Sequence, residues 1–289
     1  MNAFFIVPFS SNAFMSNALL AGVLVAFACG IVGTFVVLRG LAFIGDALAH
    51  GVLPGVAVAL LTGLPGMLGA AVGALAMVLG IGFITRRSNL SSDTAIGLLF
   101  VGMLALGVAV VSRSQAFSGD LVHILFGEIL GIRTAELALQ LGAAIAIAVT
   151  AALCYRPFLL LCFSPEQAEV SGFPVRRYHG IMLLLIALTV VVSFRTVGTL
   201  LVFGMLLAPS ATAALFSRKI LSMILAAIAL GASSVYLGLL ASYHLNIAAG
   251  AAITLAATIE FFAIFALKRL ALVLSGQAGT VAEAGHHEH

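Results

Sequence analysis

Apolar residues run in long segments along almost the whole chain, and short stretches of charged or turn-forming residues separate them. A helix needs about 20 mainly apolar residues to cross the hydrocarbon core of a bilayer. Segments near that length cover residues 17–38, 41–61, 67–84, 94–111, 134–153, 181–194, 197–217, 220–242 and 247–267. The sixth is short, and a broken or re-entrant pair around residues 193–195 would reduce the nine spans to eight. The pattern predicts an all-α integral membrane protein, a polytopic bundle of eight to nine transmembrane helices.

The composition supports this prediction. Of the 289 residues, 63% are hydrophobic and only 8% are charged, which is too little charge to coat a soluble domain of this size. A membrane β-barrel is excluded because its strands would alternate polar and apolar residues. The net charge of +3 is scattered, so nucleic acid is not expected as a partner. Cys29, Cys154 and Cys162 lack CxxC spacing, and we expect buried thiols rather than disulfides or zinc ligands.

Positive charges indicate the orientation, because Lys and Arg resist transfer across the membrane and mark cytoplasmic loops. With nine spans and the N-terminus outside, ten of the 13 basic residues lie inside, namely Arg39, Arg86, Arg87, Arg156, Arg176, Arg177, Arg218, Lys219, Lys268 and Arg269. Only three lie outside, Arg113, Arg133 and Arg195. This orientation makes 1–16 an extracytoplasmic segment, 17–270 the transmembrane domain and 271–289 a cytoplasmic tail. No Lys or Arg occurs in the first 16 residues, so no cleavable signal peptide is expected.

The second span contains an acid and a histidine four residues apart, Asp46 and His50. Four residues is about one helical turn, so both side chains lie on one face, and His50 lies near the bilayer midplane. Oxygen and nitrogen ligands in this arrangement suit a divalent transition metal. Two structural interpretations compete with metal or proton handling: a hydrogen bond that only satisfies the pair, or Asp46 as a helix N-cap. One chain supplies two ligands, and a twofold dimer would supply four.

Other polar residues at the spans have weaker functional interpretations. Glu260, deep in the last span, could act as a second-shell or relay group, or could bond a polar residue of a neighbouring helix. Arg195 is expected to snorkel, and Asp93 to N-cap the fourth span. Asp120 and His123, on an outer non-spanning segment, could guide a cation inward or lie on a solvated helix face.

Two further stretches lie outside the spans. Residues 155–180 combine a Ser-Pro-Glu helix start with a Gly-Phe-Pro stop and two arginines, which predicts a docking helix on the cytoplasmic side. The tail ends in His286, His287, Glu288 and His289, which could bind metal weakly or could be an unconstrained polar end. The only lysines are Lys219 and Lys268, so no P-loop exists and any ATP must be hydrolysed by another protein.

Several fragments occur together in an order typical of one family, and they are Ala28–Gly33 continuing to Leu38 and Arg39, Ala42–Gly55, Ser92–Gly97, Leu125–Leu130, Glu169–Val175, Thr196–Leu201 and Ala208–Ala213. On these fragments, from about Asn17 to Leu267, the chain resembles the permease subunits of bacterial ABC importers for zinc, manganese or iron. The resemblance implies a multi-pass protein of the bacterial inner membrane. It also implies three partners besides lipid: a cytoplasmic ABC ATPase, an extracytoplasmic metal-binding protein, and a second permease copy or a paralogue.

The resemblance also implies roles for individual residues. In such permeases the Asp and His of the second span are linked to metal passage, and they match Asp46 and His50. The segment 164–177 matches the loop that contacts the ATPase, and its candidate coupling residues are Glu166, Glu169, Gly172, Arg176 and Arg177. The implied mechanism is alternating access driven by the ATPase, with the divalent metal as cargo and no permanently bound cofactor. The histidine-bearing tail favours zinc slightly over manganese or iron.

Three other functions remain open at this point. A siderophore or cobalamin permease would favour a wide cavity with polar and aromatic walls, whereas this chain has no Trp and only four Tyr. An intramembrane metalloenzyme would use Asp46, His50 and Glu260 as ligands and would turn over without an ATPase. An ion-driven secondary carrier would import metal when the ATPase is absent.

Overall fold

The computed structural model describes residues 13–88, 90–112 and 129–274, and all regular structure within these ranges is helical. The α-helices are α1 (Ala13–Leu38), α2 (Ala42–Gly51), α3 (Leu53–Leu61), α4 (Gly66–Arg87), α5 (Ser92–Val111), α6 (Thr134–Leu153), α7 (Tyr155–Phe163), α8 (Pro165–Val170), α9 (Val175–Val197), α10 (Thr199–Ala214), α11 (Ile220–Leu245) and α12 (Ala249–Leu274). A short 3-10 turn, Ile129–Gly131, precedes α6. The prediction of an all-α polytopic bundle is confirmed.

Eight helical segments in the described ranges are long and apolar enough to span a membrane. Helices α2 and α3 together form one of them, Ala42–Leu61. They are separated at Val52 because Pro54 has no N–H for the backbone bond to the His50 carbonyl. Helix α10 has 16 residues, about 24 Å, which is shorter than the roughly 30 Å hydrocarbon core. The count of eight lies within the predicted range.

The boundary between the sixth and seventh predicted spans differs from the prediction. Helix α9 begins at Val175, six residues before the predicted start at 181, and continues through residues 193–195 to Val197. The break comes at Gly198, which has a φ of 79°. A positive φ costs glycine little, whereas a serine or arginine inside a helix interrupts no backbone hydrogen bond. The polar residues at 193 and 195 therefore predicted the boundary between the two helices at the wrong position.

Helix α1 is the central helix, and α6, α9, α10 and α11 pack around it. Small residues let these helices come close. A Cβ at Gly33 would collide with the Leu206 carbonyl of α10. The small-residue motif Gly69-x-x-x-Gly73 lies where α4 crosses α3, and a Cβ at Gly69 would collide with the Gly55 carbonyl. These crossings are too tight for any larger side chain, as expected for helices that pack in lipid.

Two long-range hydrogen bonds join segments that the charge pattern assigns to the cytoplasmic side. The Arg39 guanidinium donates to the Leu161 carbonyl of α7. The Lys268 ammonium donates to the Leu215 carbonyl just after α10. The end of α1 and the segment α7–α8 thus lie together, and so do the ends of α10 and α12. This arrangement agrees with the predicted grouping of basic residues, while the side of the membrane stays a prediction.

Candidate metal site and coupling segment

Helix α2 carries Asp46 and His50, and its neighbours hold it closely on two sides. A Cβ at Gly45 would lie 2.9 Å from Leu206 and 3.2 Å from Phe203, so α2 packs directly on α10. A Cβ at Gly51 would lie 3.3 Å from Met77 of α4. Ala47, Leu48 and Ala49 are buried between these contacts. The helix is therefore fixed in position, and Asp46 and His50 lie one turn apart on it.

The Asp46–His50 pair is close but not tightly bonded. His50 Nε2 lies 3.5 Å from Asp46 Oδ1, which is longer than the 2.7–2.9 Å typical of a strong charged hydrogen bond. The other ring nitrogen, Nδ1, is buried and has no hydrogen-bond partner within the described ranges. Helix α2 begins at Ala42 with Leu41 at its N-cap position, so Asp46 lies inside the helix and the N-cap interpretation is wrong. The pair therefore keeps ligand atoms available.

Both side chains are partly exposed at membrane depth. The exposed fraction is 18% for His50 and 31% for Asp46. Phe43, one turn before Asp46, is 72% exposed, so the described residues leave the surface beside Asp46 uncovered. His50 is the ninth of the 20 residues of the span that starts at Ala42, about 12 Å along the helix axis, so it lies near the middle of that span.

Phe100 of α5 limits the freedom of the His50 ring. The two rings meet edge to face, with centroids 5.4 Å apart and an interplanar angle of 70°. This contact orients the imidazole relative to Asp46. Sequence reasoning did not identify Phe100, because no pattern distinguishes it from the other apolar residues of α5.

Glu260 does not join Asp46 and His50. One of its carboxylate oxygens accepts a hydrogen bond from Ser233 at 2.9 Å and the other from Ser234 at 2.8 Å, both on α11. Of the open interpretations, the bond to a neighbouring helix is the one that the structure contains. Among the residues that the structure places, no three His, Cys, Asp or Glu side chains form a possible metal site. The three-ligand centre that a metalloenzyme would need is therefore not formed within these residues.

The candidate coupling residues lie together on an exposed surface. Ser164 caps α8 by accepting a bond from the Gln167 N–H at 3.4 Å, and Pro165 occupies the first turn. A turn at Gly172, with a φ of 81°, then leads to α9. Glu166, Glu169, Gly172, Arg176 and Arg177 are all exposed, as docking residues must be.

Two apolar residues of the same surface are also uncovered. Phe163 is 66% exposed and Val170 is 91% exposed. Ala168, only 1% exposed, holds α8 against the rest of the protein. We call the exposed set Phe163, Glu166, Glu169 and Val170 the α8 surface.

The other predicted residues have mixed outcomes. The N-cap of α5 is Ser91, whose Oγ accepts the Thr94 N–H at 3.1 Å, so the N-cap prediction for Asp93 is wrong and Asp93 lies in the first turn. Serine at 91 precedes the first helical residue and has the extended backbone that a cap requires. The side chain of Arg195, the pair Asp120 and His123, and the His286–His289 tail lie outside what the structure describes.

The cysteines are free thiols, as predicted, although only Cys29 is fully buried. Burial raises the pKa of the Cys162 thiol to about 11, and the nearby charge of Arg39 opposes that effect in part. Burial also lowers the pKa of the Arg39 guanidinium, again with a smaller opposing effect from Cys162. At neutral pH Cys162 is therefore a protonated thiol next to a cation and is poorly suited to bind a metal.

The comparison with protein families identifies the chain. The model of the ABC 3 transport family matches residues 11–268. The chain belongs to this family. The manganese transport system membrane protein MntC of Listeria innocua is 42% identical over 252 residues, which are 87% of this chain and 90% of that protein. The "Probable iron transport system membrane protein" of Haemophilus influenzae is 37% identical and covers 84% of this chain and 89% of its own length.

A solved structure has the same fold. PsaBC from Streptococcus pneumoniae, in complex with Fab, matches with a TM-score of 0.81 and 37% identity over 92% of this chain and 95% of that one. As a member of the ABC 3 transport family, the chain is a permease and hence a transport component. It is a multi-pass protein of the bacterial inner membrane, as the resemblance implied.

Proposed function

We propose that the chain is the membrane permease of an ATP-driven importer for divalent transition metal ions, with Asp46 and His50 as ligands that the ion meets on its way. The observation that carries this proposal is the arrangement of the pair. An acid and an imidazole lie one turn apart at mid-span, partly exposed and 3.5 Å from each other. Among the described residues, no short hydrogen bond occupies their ligand atoms.

The cost of burying charge supports a polar path next to α2. An ionised carboxylate facing hydrocarbon near the bilayer centre costs about 2.5–3.5 kcal/mol on insertion scales. Asp46 is 31% exposed and Phe43 beside it is 72% exposed, so the described residues leave that face uncovered. A water-filled path shared with a second permease copy removes the cost and brings two carboxylates and two imidazoles to one ion.

We favour manganese as the cargo, followed by iron(II). Carboxylate oxygen and imidazole nitrogen both suit these ions, whereas the three cysteines, which would select softer ions, stay apart from Asp46 and His50. The relatives compared above are named for manganese and for iron. The slight preference for zinc depended on the His286–His289 tail, which lies beyond the described part of the chain, and these relatives give it no support.

The α8 surface is the proposed contact with the ATPase. It combines uncovered apolar groups, Phe163 and Val170, with the acids Glu166 and Glu169, and the arginines 176 and 177 lie just beyond the turn. An apolar centre with a charged rim is typical of protein interfaces. In the proposed cycle ATP binding moves the α8 surface, and the spans reorient around the ligands so that the ion is released inside.

Metal uptake in a reconstituted complex tests the proposal. The permease, its ATPase and its metal-binding protein are placed in proteoliposomes, and uptake of Mn²⁺, Fe²⁺ and Zn²⁺ is compared with and without ATP. Removing one ligand in Asp46→Asn or His50→Ala should lower manganese uptake at least about tenfold, the scale on which metal sites lose affinity. Asp93→Asn, an exposed acid on α5, is the matched control.

Each alternative to the proposal predicts a different result in this uptake assay. Undiminished uptake in both Asp46→Asn and His50→Ala would refute the proposed site. Uptake of zinc alone would refute manganese as cargo but keep the importer. Uptake without the ATPase would indicate a secondary carrier instead.

A further inference from the structure

Arg39 joins the end of α1 to the element that precedes the α8 surface. Its side chain is partly buried, and its guanidinium donates to the Leu161 carbonyl of α7, 122 residues away. The sequence explains why this carbonyl is free to accept. In a continuing helix it would bond the N–H of residue 165, but residue 165 is proline. A cation at a helix C-terminus also interacts favourably with the helix dipole.

Two more contacts fasten α7 to the last turns of α1. Phe158, which is fully buried, meets Phe35 edge to face with ring centroids 5.3 Å apart. The Cys162 thiol lies 3.9 Å from the Phe35 carbonyl. Helix α7 and the end of α1 therefore form one packed unit, and within it Arg39 bonds the last turn of α7, just before the break between α7 and α8.

The end of α1, which belongs to this unit, is connected directly to α2. Gly40, with a φ of 69°, closes α1: the Gly40 N–H donates to the Val37 carbonyl and the Leu41 N–H to the Val36 carbonyl, both at 3.1 Å. This pair of bonds is the Schellman motif, which sets the direction in which the chain leaves a helix. Leu41 is 6% exposed, and α2 starts at the next residue. A displacement of the unit is thus passed to α2 through two residues.

We propose that Arg39 is a positioning residue that transmits movement of the α8 surface to the metal-binding helix α2. The proposal rests on the proposed function, since it takes the α8 surface as the ATPase contact and Asp46–His50 as the ligands. Arg39 touches neither the ATPase nor the metal in this arrangement. It makes the α7–α8 break and the α1–α2 turn move together.

The chemistry of arginine predicts a graded series of variants. Arg39→Gln removes the charge and shortens the side chain, so the Leu161 carbonyl loses its donor. Arg39→Lys keeps a cation that reaches the same carbonyl but lacks the planar fork. Arg87→Gln is the control, because Arg87 also ends a helix of the same side and lies over the Phe83 ring at 5.9 Å without bonding α7.

The decisive quantity is the number of ions imported per ATP hydrolysed by the reconstituted complex. In Arg39→Gln we expect this ratio to fall at least about tenfold, while basal ATP hydrolysis and the affinity for the ATPase stay within twofold of wild type. Arg39→Lys should recover most of the ratio, and Arg87→Gln should leave it unchanged. An unchanged ratio in Arg39→Gln overturns the proposal. So does a loss of ATPase affinity as large as the loss of uptake, because Arg39 would then only hold the docking surface in shape.

A second variant keeps the proposal testable if Arg39→Gln does not fold. Pro165→Ala leaves Arg39 in place but provides a backbone N–H that competes for the Leu161 carbonyl. The ratio should fall in this variant too, by a smaller factor, and an unchanged ratio overturns the proposal.

Hydrogen exchange separates failure of this proposal from failure of the proposed function. In the complex without metal, addition of a non-hydrolysable ATP analogue should change exchange at both α8 and α2. In Arg39→Gln the change at α8 should persist and the change at α2 should disappear. Persistence of both changes overturns the role of Arg39, whether or not Asp46 and His50 bind a metal.

Discussion

Glu260 accepts hydrogen bonds from two serines of α11. Variants of these serines test whether the Glu260 carboxylate has a structural role or acts as a relay group. Ser234 is fully buried, and its hydroxyl lies 2.8 Å from a Glu260 oxygen and 2.8 Å from the Leu230 carbonyl. The Ser233 hydroxyl likewise lies 2.8 Å from the Leu230 carbonyl and 2.9 Å from the other Glu260 oxygen. We predict that Ser234→Ala destabilises the protein, because it removes a hydrogen-bond donor from the half-buried Glu260 carboxylate.

The geometry sets the size of the effect. A hydrogen bond to a charged group contributes about 1.5–3 kcal/mol to stability. One hydroxyl proton shared between two acceptors gives a value at the lower end, about 1.5 kcal/mol. For a chain of this size that corresponds to a fall of roughly 3–6 °C in the melting temperature. Removing both serines leaves the carboxylate with neither hydroxyl, and the loss should exceed the sum of the single variants.

Thermal unfolding of the permease in nanodiscs measures these losses. Ser222→Ala is the matched control, since Ser222 lies on the same helix and bonds only the exposed Lys219 carbonyl at 2.7 Å. In a Glu260→Met background, Ser234→Ala should have almost no effect, because the acceptor is gone. An equal loss in both backgrounds would refute the bond as the cause. Glu260→Gln should keep most manganese uptake, and loss of uptake at an unchanged melting temperature would restore the relay interpretation.

Two further predictions concern the end of the bundle that carries the α8 surface. Val170→Asp places a charge at the 91% exposed apolar position of the α8 surface and should weaken ATPase binding at least about tenfold in a pull-down titration. Leu64→Asp, 54% exposed between α3 and α4 at the other end, should have no effect, and equal weakening there would contradict the assignment of the surface. Cys162, with its pKa raised by burial from 9.0 to about 11, should carry about a hundredfold less thiolate at pH 8 than an unshifted thiol. Alkylation of Cys162, followed by mass spectrometry, should therefore rise steadily up to about pH 11, and a plateau near pH 9 would contradict the shift.

The spans could be predicted from the sequence because the bilayer imposes both a length and an apolar composition on each crossing helix. The break between α9 and α10 could not be placed, since both helices are apolar and the polar residues at 193 and 195 suggested a boundary that lies at Gly198. Where a helix stops inside an apolar stretch depends on backbone geometry and packing. The amino-acid composition shows neither the backbone geometry nor the packing.

The contacts of the candidate site show the same difference: some join residues close in sequence, and others join residues far apart in sequence. Asp46 and His50 are four residues apart, so helical periodicity alone predicts that they meet. The partners of Glu260 are 26 and 27 residues away, and the carbonyl that Arg39 binds is 122 residues away, so only the tertiary fold shows which groups meet. For Arg39 a local signal did exist, because Pro165 leaves the Leu161 carbonyl without its helical donor. A proline four residues after a helix-terminal carbonyl therefore predicts that a donor from elsewhere will bind there, although it cannot say which one.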